Sequence, residues 1–242
     1  MNPDWIVPDW PAPARVRALA TTRAGGVSAP PYDGFNLATH VGDDPAAVIE
    51  NRRRLRSALP AEPLWLTQVH GTRVVSAEAS GSDSEADACV ARSPGRVCVV
   101  QSADCLPVLF ADLAGTVVAA AHAGWRGLAA GVLERTAAAM AVAPKGLIAW
   151  LGPAIGPAAF EVGAEVREIF CAADPAAAGA FAANERGRWQ CDLAALARLR
   201  LARAGVTRVF GGGWCTYSDP LRFYSYRRDG VTGRMASLIW LV

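Results

Sequence analysis

Three histidines and six cysteines set the limits of the chemistry open to this 242-residue chain. The histidines are His40, His70 and His122. Two of them stand close to glycine, in His70-Gly71 and His122-Ala123-Gly124, as residues at the end of a strand often do. Cys105 sits in Ser102-Ala103-Asp104-Cys105-Leu106-Pro107, between apolar runs. One thiolate and two imidazoles fill three positions of a tetrahedral zinc and leave the fourth free, the open arrangement of a catalytic site. Copper accepts the same donors. The separations, 35 residues from His70 to Cys105 and 17 more to His122, match no short metal motif. On residue types alone, a Cys-His-His metal site and an ordinary set of buried Cys and His are equally good readings.

The stretch Val97 to Gly127 must position these groups. It reads as two apolar runs joined by a turn at Leu113-Ala114-Gly115. A hairpin centred there pairs residues whose numbers sum to 227 or 228, which sets Cys105 across from His122. Direct cross-strand neighbours have Cβ atoms about 5 Å apart, close enough for a shared metal or a thiolate–imidazolium pair. A one-residue slip would place the two on opposite faces. Pro107 cannot donate to a ladder, so a bulge or an edge is expected near Cys105.

Other residues carry two readings each. His40, in Asn36-Leu37-Ala38-Thr39-His40-Val41-Gly42-Asp43, reads first as a loop histidine that fixes a turn. Asp104 and Asp87 are either carboxylates that orient a metal-binding histidine or plain turn residues, and Asp104 is the better placed. Gly124-Trp125-Arg126-Gly127 precedes a helix, and free amides beside an arginine suit an anion such as phosphate; a tight turn with a solvent-facing arginine explains it equally well. Phe223-Tyr224-Ser225-Tyr226-Arg227-Arg228-Asp229 could stack a heterocycle, or could be strand core with surface charge.

The rest of the chain bounds the setting. Its length buries a sizeable core, and one domain over 1–242 is expected. Apolar runs stop short of the ~20 residues a membrane span needs. Met1-Asn2-Pro3-Asp4-Trp5 lacks the basic and apolar regions of a signal peptide, so a cytoplasmic protein is expected. Basic and acidic residues nearly balance, 24 against 22, which predicts no nucleic-acid footprint. Six cysteines without a C-x-x-C pair read as reduced thiols. Asp44 and Pro45 open a helix running to about Leu59, with Val48, Ile49, Leu55 and Leu59 on one face. Leu64 to Gly71 reads as a strand with Thr72 to Ala77 as its hairpin partner. Helices are expected over 128–141, 164–173 and 192–204, and strands over 147–151, 206–210, 221–226 and 236–242. Hairpins interleaved with helices, without strict βαβ alternation, predict α+β: mixed β-sheets in a sandwich-like core with helices packed outside.

Thr67-Gln68-Val69-His70-Gly71, Ser102-Ala103-Asp104-Cys105-Leu106-Pro107 and His122-Ala123-Gly124-Trp125-Arg126-Gly127 resemble the YfiH family, also called laccase-like or polyphenol oxidase proteins and peptidoglycan editing factors. The likeness runs through Thr21-Thr22-Arg23, Asn36-Leu37, Leu151-Gly152-Pro153-Ala154-Ile155-Gly156-Pro157, Phe160-Glu161-Val162-Gly163, Ser225-Tyr226-Arg227-Arg228-Asp229 and Thr232-Gly233-Arg234, nearly the whole chain. It implies that His70, Cys105 and His122 are metal ligands and catalytic residues, with zinc as the metal and copper possible. It implies a fold related to a toxin family of cysteine-dependent hydrolases. The implied activities are phosphorolysis of adenosine, inosine, guanosine and methylthioadenosine, and adenosine deamination. Purine nucleosides and phosphate are then the partners, with no nucleic acid and no membrane, and the chain is a monomer or homodimer. Arg126, Asp104, Asn36 and Arg227 are the candidates for substrate or phosphate contacts, and Asp104, Asp87 and Glu161 for protonating the leaving purine. Two other activities compete. One is copper-dependent polyphenol oxidation, for which three histidines are few. The other is a metal-free Cys105–His122 hydrolase that edits peptidoglycan precursors. A non-enzymatic binding module would leave the meeting of His70, Cys105 and His122 unexplained.

Overall fold

Alternation along two strands decides how the layers meet. In the computed structural model, which describes residue 2 and residues 4–242, the strands Leu106–Asp112 and Val118–Ala123 run antiparallel and are buried throughout. Successive side chains of a strand point to opposite faces. Val108, Phe110, Ala119 and Ala121 therefore enter one apolar cluster, while Leu109, Ala111, Val118 and Ala120 enter another. These two strands lie at the centre of a six-stranded sheet. Its order is Arg208–Gly211, Leu147–Leu151, Leu106–Asp112, Val118–Ala123, Ala88–Ala91, Val74–Ser76. Both parallel and antiparallel pairs occur in it.

The first cluster is completed by the helices Val132–Ala139, Ala164–Ala173 and Leu193–Arg203. The second is completed by residues of a four-stranded sheet, ordered Val16–Ala20, Met235–Leu241, Val97–Ser102, Pro63–Leu64. Val97, Val99, Leu238 and Trp240 of that sheet join a third cluster with Leu55 and Leu59, from and just after the helix Pro45–Arg56. The chain is thus α+β with mixed sheets and helices, as its sequence predicts. Among the described residues, no helix is long and apolar enough to cross a membrane.

The stretch Val97 to Gly127 is not one hairpin. Val97–Ser102 pairs in the four-stranded sheet, and the chain crosses at Ala103-Asp104-Cys105 into the six-stranded one. The hairpin that follows pairs Pro107 with His122 and Leu106 with Ala123. Cys105 therefore lies just beyond the ladder, beside Gly124 and not opposite His122. The cause is Asp112. Its carboxylate accepts from the Thr116 and Val117 amides and the Thr116 hydroxyl, which widens the loop and shifts the register.

Other expected pairings also change. Leu64 to Gly71 breaks at Trp65 into Pro63–Leu64 and Leu66–Thr67, which join different sheets. Val74–Ser76 does not fold back on it but runs parallel to Ala88–Ala91. The helix expected over 128–141 is two, Trp125–Ala130 and Val132–Ala139, divided at Gly131, whose φ of 96° favours glycine. Leu221 to Tyr226 forms no strand. Phe223 and Tyr224 are buried in the core, and Ser225 caps a short helix, Tyr226–Asp229.

Helix Pro45–Arg56 buries Val48 and Leu55 as expected, but Ile49 is exposed and Asn51 is buried in its place. The Asn51 amide donates to Ser28 Oγ, Gly34 O and Asn36 O, and accepts from the Val27 amide. It ties the segment 27–36 to the helix. Asn51→Ala would strand these partners, and each unmet buried group costs about 1–3 kcal/mol. A loss of roughly 2–4 kcal/mol is expected in denaturant titration. A change below about 0.5 kcal/mol, the level of a neutral surface substitution, would show that the network holds nothing.

Candidate metal centre

Cys105 owes its place to Asp104. The backbone of Asp104 has φ 99°, which non-glycine residues rarely adopt. Its carboxylate accepts from Thr216 Oγ1 at 2.6 Å and from the Arg227 amide at 2.7 Å, and its carbonyl accepts from the Ile155 amide. Three distant segments thus hold the bend that turns the Cys105 thiol toward the two histidines.

Asp87 does the same for both histidines. It lies just ahead of the strand Ala88–Ala91 and is fully buried. Its carboxylate accepts from the amides of Val69, His70 and Gly71 at 3.2, 2.9 and 2.6 Å. The same carboxylate accepts from His122 Nδ1 at 2.8 Å. That bond fixes the His122 tautomer and leaves Nε2 as its ligand atom. His70 itself has φ 60° and stands exposed at the turn.

The three ligand atoms of His70, Cys105 and His122 lie within 4.8 Å of one another. Cys105 Sγ is 3.7 Å from His70 Nε2. Ligands of a tetrahedral zinc, at about 2.0 Å for nitrogen and 2.3 Å for sulfur, stand about 3.5 Å apart. Gly124 makes that closeness possible: a Cβ there would be 2.9 Å from both Cys105 Sγ and His70 Cδ2. Donor set, spacing and the Asp87–His122 bond all fit a metal ion with one open position.

Charge reinforces the geometry. Burial opposes ionisation of Asp87, but the hydrogen bonds from His122, Gly71 and Val69 outweigh it and hold its pKa below the usual carboxylate range. Burial likewise opposes the Cys105 thiolate, yet His122 and His70 pull its pKa down to about 6. Burial disfavours charge on His122, and the Cys105 and Asp87 charges overcome this and raise its pKa to about 9. Without metal, the pair at neutral pH is a thiolate beside an imidazolium.

The three candidate ligands line a cavity of about 590 Å³, within the range of small-molecule sites. Leu66, Ile155, Phe160 and Leu193 give it apolar walls, and Trp125 and Tyr226 add aromatic faces. Arg126, Arg227 and Arg234 line it too. Arg126 stacks over Trp125, and Arg227 and Arg234 bond backbone carbonyls. Among the described residues, none of the three pairs with a carboxylate.

The sequence candidates sort cleanly. His70, Cys105 and His122 converge. Arg126, Arg227 and Asp104 line the cavity, although both Asp104 oxygens already accept hydrogen bonds. His40, expected only to fix a turn, lines the cavity as well; partial burial, Arg234 and Arg52 lower its pKa. Asn36 does not line it. It is fully buried, and its amide bonds Ala38, Asp43 and the Arg234 backbone, so it supports Arg234 and is not free to contact a ligand. Glu161 is also absent from the lining, its carboxylate held by Asn184 and Arg186. Of Phe223-Tyr224-Ser225-Tyr226-Arg227, only Tyr226 and Arg227 reach the cavity; Phe223 and Tyr224 are core. Sequence reasoning misses Arg234 and Gln101 as site residues. Arg234 lies in Thr232-Gly233-Arg234, and Gln101 interrupts the apolar run of Val97-Cys98-Val99-Val100.

Comparison with known proteins agrees with this picture. The chain is 59% identical over 238 residues to purine nucleoside phosphorylase PA4543 of Pseudomonas aeruginosa, covering 98% of each chain. It is 56% identical over 240 residues to purine nucleoside phosphorylase YfiH of Escherichia coli, again covering 98% of each. The crystal structure of Neisseria meningitidis protein NMB0706 superposes with a TM-score of 0.95 at 55% identity, over 98% of this chain and 99% of that one. That of the Bacillus licheniformis hypothetical protein YfiH gives 0.88 at 29% identity, over 94% and 93%. The family model described as multi-copper polyphenol oxidoreductase laccase matches residues 17–242, and the chain belongs to this laccase-like YfiH family.

Proposed function

We propose that the chain is a zinc-dependent purine nucleoside phosphorylase acting on adenosine, inosine, guanosine and methylthioadenosine, with adenosine deaminase activity. The observation that carries this reading is a Cys-His-His centre open to a cavity with apolar walls and three arginines free of carboxylates. Relatives at 59% and 56% identity bear the name purine nucleoside phosphorylase. His70, Cys105 and His122 would hold the metal, which supplies Lewis-acid polarisation of an oxygen when bound. Asp87 keeps His122 in the tautomer that ligates. Arg126 and Arg227, with Arg234 beside them, offer forked donors to phosphate, while the apolar walls take the purine and exclude water. Asp87 is fully buried and held ionised, and both Asp104 oxygens accept hydrogen bonds, so both fit positioning better than proton donation. A multicopper array requires more imidazoles than three histidines supply. Free thiols at all six cysteines are consistent with a cytoplasmic location.

One observation favours a second reading. A thiolate at Cys105 beside a charged His122 is the starting state of a metal-free cysteine hydrolase, the chemistry of the toxin-related fold and of peptidoglycan-precursor editing. His70 separates the two. His70→Ala is expected to lose bound zinc and at least ~100-fold in phosphorolysis of inosine, because two protein ligands do not hold a catalytic zinc. Full zinc occupancy in the variant, read by metal analysis, would defeat the assignment.

Zinc binding must also displace a proton. Cys105, near 6, is already ionised at pH 7.5, whereas His122, near 9, is protonated. Calorimetry in buffers of different ionisation enthalpy should show about one proton released per zinc. Affinity should rise with pH between those two values, and release of no proton would contradict a thiolate–imidazolium pair in the metal-free protein.

Arg126→Ala should raise the KM for phosphate by roughly tenfold and leave the KM for inosine within about twofold. Equal KM values for phosphate in the variant and the parent would remove Arg126 from the phosphate site.

A further inference from the structure

We propose that Gln101 reads the polar edge of the base, and that its unlocked amide lets one cavity take both 6-oxo and 6-amino purines; the inference rests on the phosphorylase reading. Gln101 is 7% exposed and lines the cavity. It follows Val97 and Val99, both packed in the apolar core, on the same face of its strand. Gln68 uses both ends of its amide on the Gln101 backbone: Oε1 accepts from the Gln101 amide at 2.7 Å, and Nε2 donates to the Gln101 carbonyl at 2.8 Å. The backbone of Gln101 is thus pinned while its own Nε2 is buried without a partner. Buried donors are rarely left unmet, so this amide is set to turn toward an acceptor that a ligand brings.

The neighbours narrow what that ligand offers. Arg126, Arg227 and Arg234 only donate. Both Asp104 oxygens already accept hydrogen bonds, and the three candidate metal ligands face one another. Gln101 carries a donor and an acceptor side by side, and among the described residues no side-chain bond to the protein locks their order. A 6-oxopurine presents an acceptor at O6 and a donor at N1. A 6-aminopurine presents a donor at N6 and an acceptor at N1. The two patterns are inverted copies, and a half-turn of the terminal amide torsion, which is broad and two-fold, complements either. An amide locked by a protein hydrogen bond would select one of the two.

The test measures binding of the free bases hypoxanthine and adenine to the zinc-loaded protein by calorimetry, which needs no turnover. The parent should bind both within about tenfold of each other. Gln101→Met, similar in length and without hydrogen bonds, should weaken both by about tenfold or more, as should Gln101→Glu, which keeps the shape and loses the donor. Zinc content, melting temperature and inorganic phosphate binding should not move in Gln101→Met; a merely structural role would move them. Unchanged affinity for both bases in a folded variant overturns the proposal, and loss confined to one base overturns the rotating amide. A parent that binds both bases yet fails to phosphorolyse inosine refutes the phosphorylase reading and spares the base contact. A parent that binds neither refutes both.

Discussion

A buried carboxylate without a cationic side chain from arginine or lysine is a demanding thing to fold around, and Asp87 is one. Three successive amides and one imidazole satisfy it. Those groups come from the turn at His70 and the strand that carries His122, so the interaction closing the polypeptide around a charge also brings the two imidazoles together. Removing a partner from such a charge is far more disruptive than never having buried it. The electrostatics follow from the same bond: the Asp87 charge supports the His122 imidazolium, which in turn draws the Cys105 thiol down.

The placing of Cys105 depends on topology. Val97–Ser102 and Leu106–Asp112 lie in different sheets, and only Ala103-Asp104-Cys105 joins them. A chain that leaves one sheet for another must bend where its ladder hydrogen bonds stop, and the free carbonyls and amides need other partners. The Ile155 amide meets the Asp104 carbonyl, and Thr216 and the Arg227 amide hold the bend through the Asp104 carboxylate. Each belongs to a loop or a short helix at the cavity, so the bend that exposes Cys105 also gathers the walls around it.

Much of this was legible in the residues. Asp44 and Asp192 announce helices through local capping, and both cap as expected. Ala164–Ala173, Leu147–Leu151 and Met235–Leu241 match their apolar patterns because those patterns are local. The convergence of His70, Cys105 and His122 could be expected from donor chemistry and the family motifs. Register could not, since it turned on the Asp112 carboxylate capturing three groups in its loop. Nor could the parallel pairing of Val74–Ser76 with Ala88–Ala91, which leaves no turn signal between neighbours. Phe223 and Tyr224 misled because aromatic residues beside arginines look alike in a core and in a binding wall. Gln101 matters through a side-chain donor without a partner and Arg234 through the carboxylate it does not meet, and an absent contact has no sequence signature.

Gly124 separates two demands that usually fall on the same residue. Its backbone, at φ −61° and ψ 159°, suits any amino acid, so folding alone does not ask for glycine. The demand comes from the atoms facing it, Cys105 Sγ and His70 Cδ2. A side chain there would wedge the sulfur and the ring apart while the sheets on either side still assembled. Variation at this position is therefore screened by the candidate centre and not by the backbone: a chain bearing alanine there would be a folded protein whose three donors no longer meet.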